Sequence, residues 1–319
     1  MFLTQDAAQE AEAFLISQLT YIEPEVYRVQ YPAIRYHEIV PVDTSAPPWI
    51  PSVTYFSMDG VGQAKWFNGR ANDVPLAELL RTKYETPVKM AAIGYEFDLE
   101  ELSQAMMLGR NLTSDKAYYA RLAAEQFIDS TAIVGDAVAG AFFTGIANNP
   151  AVTAVMAAAT GTGGSTNWAS KSSAAISVDV NTALTGVFSG STGVETADTL
   201  LLPLAQFGYL SSTQYNVAGA NGQTILQWLQ KANVYTARTG RDLKIVPVWG
   251  LETAGAGATS RMVAYWRNPV IVKMHLPMPF QFVAGVWRDG PMLWKVPGIF
   301  RFGGVDIKRP GAFRYVDGL

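Results

Sequence analysis

The stretch from Tyr95 to Val152 constrains the fold more than any other part of the chain. A strand alternating as Ile93, Tyr95 and Phe97 leads into Asp98-Leu-Glu-Glu101, which has the form of a capping box at a helix start. Ala120, Ala123, Ala124, Phe127, Ile128, Thr131 and Val134 then recur at helical spacing, so they are expected to share one buried face. Ser114 is placed to cap this helix. From 114 to 134 it would span about 31 Å at ~1.5 Å per residue. Gly135 and Gly140 would loosen or end it before Gly145-Ile-Ala-Asn-Asn-Pro-Ala-Val152. None of these segments is a catalytic motif. The acids between Glu96 and Glu101 suit the positive end of a helix, and no histidine lies near them to suggest metal chemistry.

Around this helix the chain is mixed. Residues 5–20 form an amphipathic stripe of Ala11, Phe14, Leu15 and Leu19. Pro24, Pro32, Pro41, Pro47, Pro48 and Pro51 exclude a continuous helix or a central strand over 23–51, which predicts an extended arm lying across something else. Val53-Thr-Tyr-Phe56 and Ala64-Lys-Trp-Phe67 flank a glycine-rich Met58-Asp-Gly-Val-Gly62, which predicts a projecting β-hairpin. Residues 150–172 are rich in Ala, Thr, Gly and Ser and predict a flexible loop or subdomain edge. Ile176, Val180, Ala183, Leu184, Val187 and Phe188 form a second helical stripe. Thr199-Leu-Leu-Leu-Pro203 and Lys244-Ile-Val-Pro-Val248 predict strands, Gly222 to Ala232 a helix, and the last seventy or so residues are strand-rich. Long helices with scattered strands argue for α+β rather than an alternating parallel-sheet enzyme.

Composition narrows the function. Charged residues are only 16%, while hydrophobic ones reach 49% and aromatics 12%. A typical soluble domain carries about 25% charge. Such a chain has either a large core under a quiet surface or a surface buried against other subunits. Residues 1–27 hold Asp6, Glu10, Glu12, Glu23 and Glu25 with no Lys or Arg, whereas 288–319 are net basic. These ends could attract each other or simply be solvated. No cysteine is present, which removes disulfides, thiolate metal sites and cysteine nucleophiles. Neither a basic signal-peptide start nor an apolar run of membrane-spanning length is seen, so a soluble protein without membrane contact is expected.

Enzyme signatures fail individually. His37 and His275 are too few and too separated for a metal site, and each is expected on a strand with an ordinary partner. Gly-x-Ser-x-Gly is absent. Gly60-Val-Gly62 has Lys65 where a dinucleotide fingerprint needs its last glycine, and Gly161-Thr-Gly-Gly-Ser-Thr166 lacks a phosphate-binding lysine. Neither a catalytic residue, a cofactor nor a metal is expected. No basic run or nucleic-acid-reading motif is present, which leaves only weak, sequence-blind contact with DNA.

In element order the chain resembles the Hong Kong 97-type major capsid proteins of tailed bacteriophages. Two local patterns are similar to those of that family: Gly135-Asp136 followed by Gly145-Ile146, and Gly303-Gly-Val305 with Arg309-Pro310. The resemblance implies an N-terminal arm over 1–51 and an E-loop hairpin over 52–75. A peripheral domain with a spine helix would span 76–171, an axial domain 172–245, and C-terminal strands returning to the peripheral domain 246–319. It further implies hexamers and pentamers closing an icosahedral shell around double-stranded DNA. The shell would assemble in the host cytoplasm with a scaffolding protein and a portal, and would form the capsid of the virion. Tyr55, Phe56, Lys65, Trp66, Phe67 and Arg70 are the implied subunit-interface residues. Lys65 by itself does not imply covalent crosslinking. An encapsulin-like nanocompartment shares the fold and is the alternative, and a soluble hydrolase with a scattered site is a further one.

Overall fold

The computed structural model describes residues 31–66, 76–101, 103, 112–136, 143–216, 222–284, 287–288 and 292–319. The chain divides after Ala33, and the elements below all belong to Ile34–Leu319. The amphipathic stripe over 5–20 lies outside the described residues.

A five-stranded sheet organises the interior. It joins β7 (Ala154–Met156), β8 (Thr199–Leu202), β9 (Lys244–Pro247), β10 (Arg261–Tyr265) and β16 (Phe313–Asp317), in the order β7-β16-β10-β8-β9. β7 runs parallel to β16 and β9 parallel to β8, while β10 is antiparallel to both its neighbours. Both faces of this sheet are covered, as a strand's period of two allows. Leu201, Val246, Val263, Tyr265, Phe313 and Tyr315 enter one core. Leu200, Leu202, Ile245, Met262, Ala264 and Val316 enter the other. The continuous apolar run Thr199–Leu202 is buried at every position.

The second core is closed by α3 (Ser173–Gly190), α4 (Leu204–Ser212), α5 (Ile225–Lys231) and α6 (Val234–Thr239). Ser172 caps α3 by accepting from the Ala175 amide, and Thr224 forms a capping box with Gln227 at α5. Residues 150–172 are not simply a flexible loop. β7 lies within them, Trp168 is buried, and its indole donates to Asp179 on α3 at 3.0 Å. Lys171 closes a buried ion pair with the same carboxylate at 2.5 Å.

The first core rests on the long helix α2 (Leu112–Val134). It begins two residues before Ser114, which therefore lies inside the helix rather than capping it. Ala120, Ala124, Ile128, Thr131, Ala132 and Ile133 are buried, but Phe127 is 42% exposed and leaves the expected face. Upstream, the Asp98 carboxylate accepts from the Glu101 amide at 2.6 Å, the capping bond foreseen for that segment.

The turn after α2 explains its glycines. β5 (Gly135–Asp136) and β6 (Phe143–Thr144) pair antiparallel. The amides of Ile146 and Ala147 then donate to the carbonyls of Ala132 and Ile133 at 2.9 and 3.0 Å, satisfying the helix's last turn. Gly135 has a φ of +81°. A Cβ on Gly145 would collide with the Ile133 carbonyl and the Gly135 amide, both backbone atoms that cannot swing away. Gly145→Ala should therefore destabilise the subunit by about 3 kcal/mol, at the upper end for overpacking. Chemical denaturation checks this, and a loss under about 1 kcal/mol would mean the turn relaxes freely.

The proline-rich segment is only partly an arm. Between Pro32 and Pro41 lies a proline-free helical turn, α1 (Tyr36–Ile39), with Tyr36, Ile39 and Val40 buried in the first core. Asp129 of α2 accepts from the amides of Arg35 and Tyr36 at 2.8 Å and from the Trp249 indole at 3.1 Å. Residues 35–43 thus pack on their own subunit. β1 (Val42–Asp43) follows Pro41 at the edge of a sheet with β11 (Val272–His275) and β15 (Val305–Ile307). His37 sits on α1 rather than on a strand, while His275 is on β11 as expected but without the expected hydrogen bond at Nε2, which lies 3.7 Å from the Asp306 carboxylate.

The remaining sheet is built on β14 (Leu293–Phe302), flanked on one side by β12 (Met278–Phe282) and β13 (Trp287–Arg288). On its other side β4 (Lys89–Asp98) pairs with β14 over ten residues, from Asp98↔Leu293 to Lys89↔Phe302.

Candidate assembly surface

One element does not join the body. β2 (Ser52–Val61) and β3 (Glu78–Pro87) form a two-stranded antiparallel ribbon, paired from Ser52↔Pro87 to Val61↔Glu78. Among the described residues neither strand pairs with any other. The expected hairpin is thus present, but its partner strand lies further along than Ala64–Phe67. Gly60 is not at the turn. It sits inside β2 opposite Leu79, because a glycine is tolerated within a strand that packs on no core.

Directly opposed residues share a face of the ribbon, and both faces carry apolar side chains. Tyr55 stacks on Tyr84 with ring centroids 5.1 Å apart, and Val61 and Leu80 continue that face. Phe56, Met58 and Leu79 lie on the other, beside Lys83 and Arg81. Phe56 is 61% exposed, and Met58, Val61, Leu79 and Leu80 are comparably open. An isolated two-stranded hairpin is marginal in water, and apolar residues held outside a core mark a surface that another molecule covers.

The ribbon's base is better supported. The Lys308 ammonium lies 5.0 Å from the Tyr55 ring, and a cleft of about 450 Å³ separates Tyr55, Phe56 and Met58 from Pro269, Val270 and Lys273. Burial pushes the Tyr55 hydroxyl up to about 12, helped by the negative charge of Asp306. It therefore stays neutral at physiological pH. Of the expected interface residues, Tyr55 and Phe56 fall on opposite faces of β2, and Lys65 and Trp66 are exposed beyond its end. Phe67 and Arg70 lie outside the described residues. The sequence reading missed Leu79, Leu80 and Tyr84.

No group of three or more His, Cys, Asp or Glu is placed to hold a metal among the described residues. No described helix is long and apolar enough to cross a membrane.

A family described as Major capsid protein matches residues 62–319. The chain belongs to the major capsid protein family. Solved structures agree with this. The capsid of Myoviridae phage XM1 has a similar chain, at a TM-score of 0.78 and 19% identity, covering 95% of this chain and 98% of that one. Mycobacterium phage Ogopogo gives 0.61 at 13% identity with 99% of each chain covered, and the capsid of an empty GTA particle 0.62 at 12%, covering 93% and 94%. No curated protein sequence matches. At these identities the structures establish the fold, which is the α+β Hong Kong 97-type capsid fold, and the family establishes a major capsid protein. Its family and fold point to a structural rather than a catalytic role.

Proposed function

We propose that this capsid protein forms the hexamers and pentamers of an icosahedral shell enclosing double-stranded phage DNA, acting through buried surface and without catalysis. The observation that carries the reading is the β2–β3 ribbon, whose Phe56, Met58, Leu79 and Leu80 have too little of their own subunit to pack on. A second copy of the chain is the occupant that would cover them. Lys65, Trp66, Phe67 and Arg70 would extend the contact beyond the strand ends. Each contact can be weak, because closure repeats it over many copies.

In this reading the ribbon is the E-loop and α2 the spine of a peripheral domain. The helices α3 to α6 with their side of the central sheet make up most of the axial domain. Scaffolding protein and portal would act during assembly in the host cytoplasm, and packaged DNA would meet scattered Lys and Arg without sequence preference.

Replacing residues 55–84 by a short glycine-containing turn tests this, because Tyr55 and Tyr84 are paired and their backbones already adjoin. The subunit should stay folded, with helical circular dichroism retained. Electron microscopy should find no closed shells when it is co-expressed with its neighbouring genes. Normal shells from that variant would remove the ribbon from the assembly. Shells of the unaltered chain containing nucleic acid rather than protein cargo would separate a virion from a nanocompartment.

A further inference from the structure

Among the described residues β2 and β3 pair with no strand of the body, so the contacts at the ribbon's base are what set its angle. The two ends of the ribbon come together where Val88 donates its amide to the Pro51 carbonyl at 2.9 Å. One side chain from the body reaches both ends. Arg301 of β14 donates from Nη1 to the Pro48 carbonyl, just before β2, at 2.9 Å. From Nη2 it donates to the Val88 carbonyl, just after β3, at a longer 3.5 Å. Its guanidinium also lies 5.8 Å from the ring of Trp49, which is 69% exposed.

Arg301 is itself well anchored. It is paired with Met90 on β4 and Met278 on β12, within the sheet built on β14. The chain it grips is short of freedom too. Pro47, Pro48 and Pro51 restrict one end, and Val88 is buried against Gly303 at the other. A planar guanidinium with fixed donor directions suits a fork across two carbonyls, which a single ammonium cannot reproduce.

We infer that Arg301 is a positioning residue for assembly: its fork across the Pro48 and Val88 carbonyls fixes the angle at which the ribbon leaves the subunit, and hence the curvature that neighbours adopt. This rests on the ribbon being the assembly element. The shorter bond holds the entering end firmly.

The test compares full-length Arg301→Ala and Arg301→Lys with the unaltered chain, each co-expressed with its neighbouring genes. Amide exchange at Trp49, Ile50, Ser52, Thr86 and Val88 of unassembled subunits should rise about tenfold in Arg301→Ala, with β4 and β14 as protected as before. Its melting temperature should stay within about 4 °C. Its particles should spread over several diameters, with open sheets or tubes, and Arg301→Lys should fall between. A single diameter equal to that of the unaltered chain, with unchanged exchange at the base, overturns the inference. If Arg301→Ala gives no folded subunit, the lysine variant decides on the same two readouts. Where the 55–84 replacement blocks shells but Arg301→Ala builds uniform ones, only the fork fails. Where the replacement also builds normal shells, both readings fall.

Discussion

Ile128→Asp should leave no soluble subunit, while Phe127→Asp, one residue earlier, should fold and stay soluble. Ile128 is fully buried in the first core, on the helix that supports it. Removing its side chain alone would cost about 2–5 kcal/mol. An unpaired carboxylate in the same place adds several kcal/mol more, against a total stability of roughly 5–15 kcal/mol. Phe127 is 42% exposed and meets the body mainly through an edge contact with Phe300, centroids 5.9 Å apart. Such a contact is worth about 1 kcal/mol. Solubility and thermal melting of the two variants check the pair. An insoluble Phe127→Asp with a soluble Ile128→Asp would mean the helix is rotated from its place here.

Arg261→Ala should lower the melting temperature by roughly 10 °C. Arg261 is buried and forks onto Asp317, with Nε to Oδ1 at 2.6 Å and Nη2 to Oδ2 at 2.8 Å. Its third donor reaches the Ala147 carbonyl at 2.7 Å, and its guanidinium lies 4.6 Å from the Tyr315 ring. One side chain thus ties β10, β16 and the turn that follows α2. Among the described residues, truncating it leaves Asp317 charged and buried with the Ala256 amide at 3.0 Å as its remaining donor, a loss of about 3–5 kcal/mol. Arg261→Lys keeps the charge but not the fork and should fall in between. A drop under about 3 °C in Arg261→Ala would mean the carboxylate finds water or other donors.

What could be read from the sequence follows from which contacts are local. α2 was legible because Ala120, Ala124, Ile128 and Thr131 repeat at its own period. Phe127 was misplaced because the buried arc runs from Ala120 round to Ala132, and Phe127 lies just beyond one end of it. Thr199–Leu202 was legible as a buried strand, since four apolar-facing positions in a row need cover on both sides. Its sheet was not legible, since β7 and β16 bring Ala154 beside Tyr315 from far apart in the chain. The partner of β2 was hidden for a different reason. Glu78, Arg81, Lys83 and Glu85 give β3 the composition of a solvated segment, and no core imposes a clear alternation on it. The loop over 150–172 looked featureless because small residues dominate it, yet Trp168 and Lys171 anchor it to α3 through Asp179. The glycines at 135 and 145 were visible as a family-like pattern, but the close backbone approach that requires them was not.

The central sheet has one more consequence. Leu200 and Leu201 are neighbours in sequence yet belong to different cores, as do Ala264 and Tyr265 and again Tyr315 and Val316. No cut through the subunit separates one core without tearing strands that hold the other. The two halves therefore cannot loosen or bend independently at low cost, and a load applied at either end passes through shared backbone. In the shell proposed above, the body would behave as a single rigid tile, and accommodation to different curvatures would fall to its ribbon.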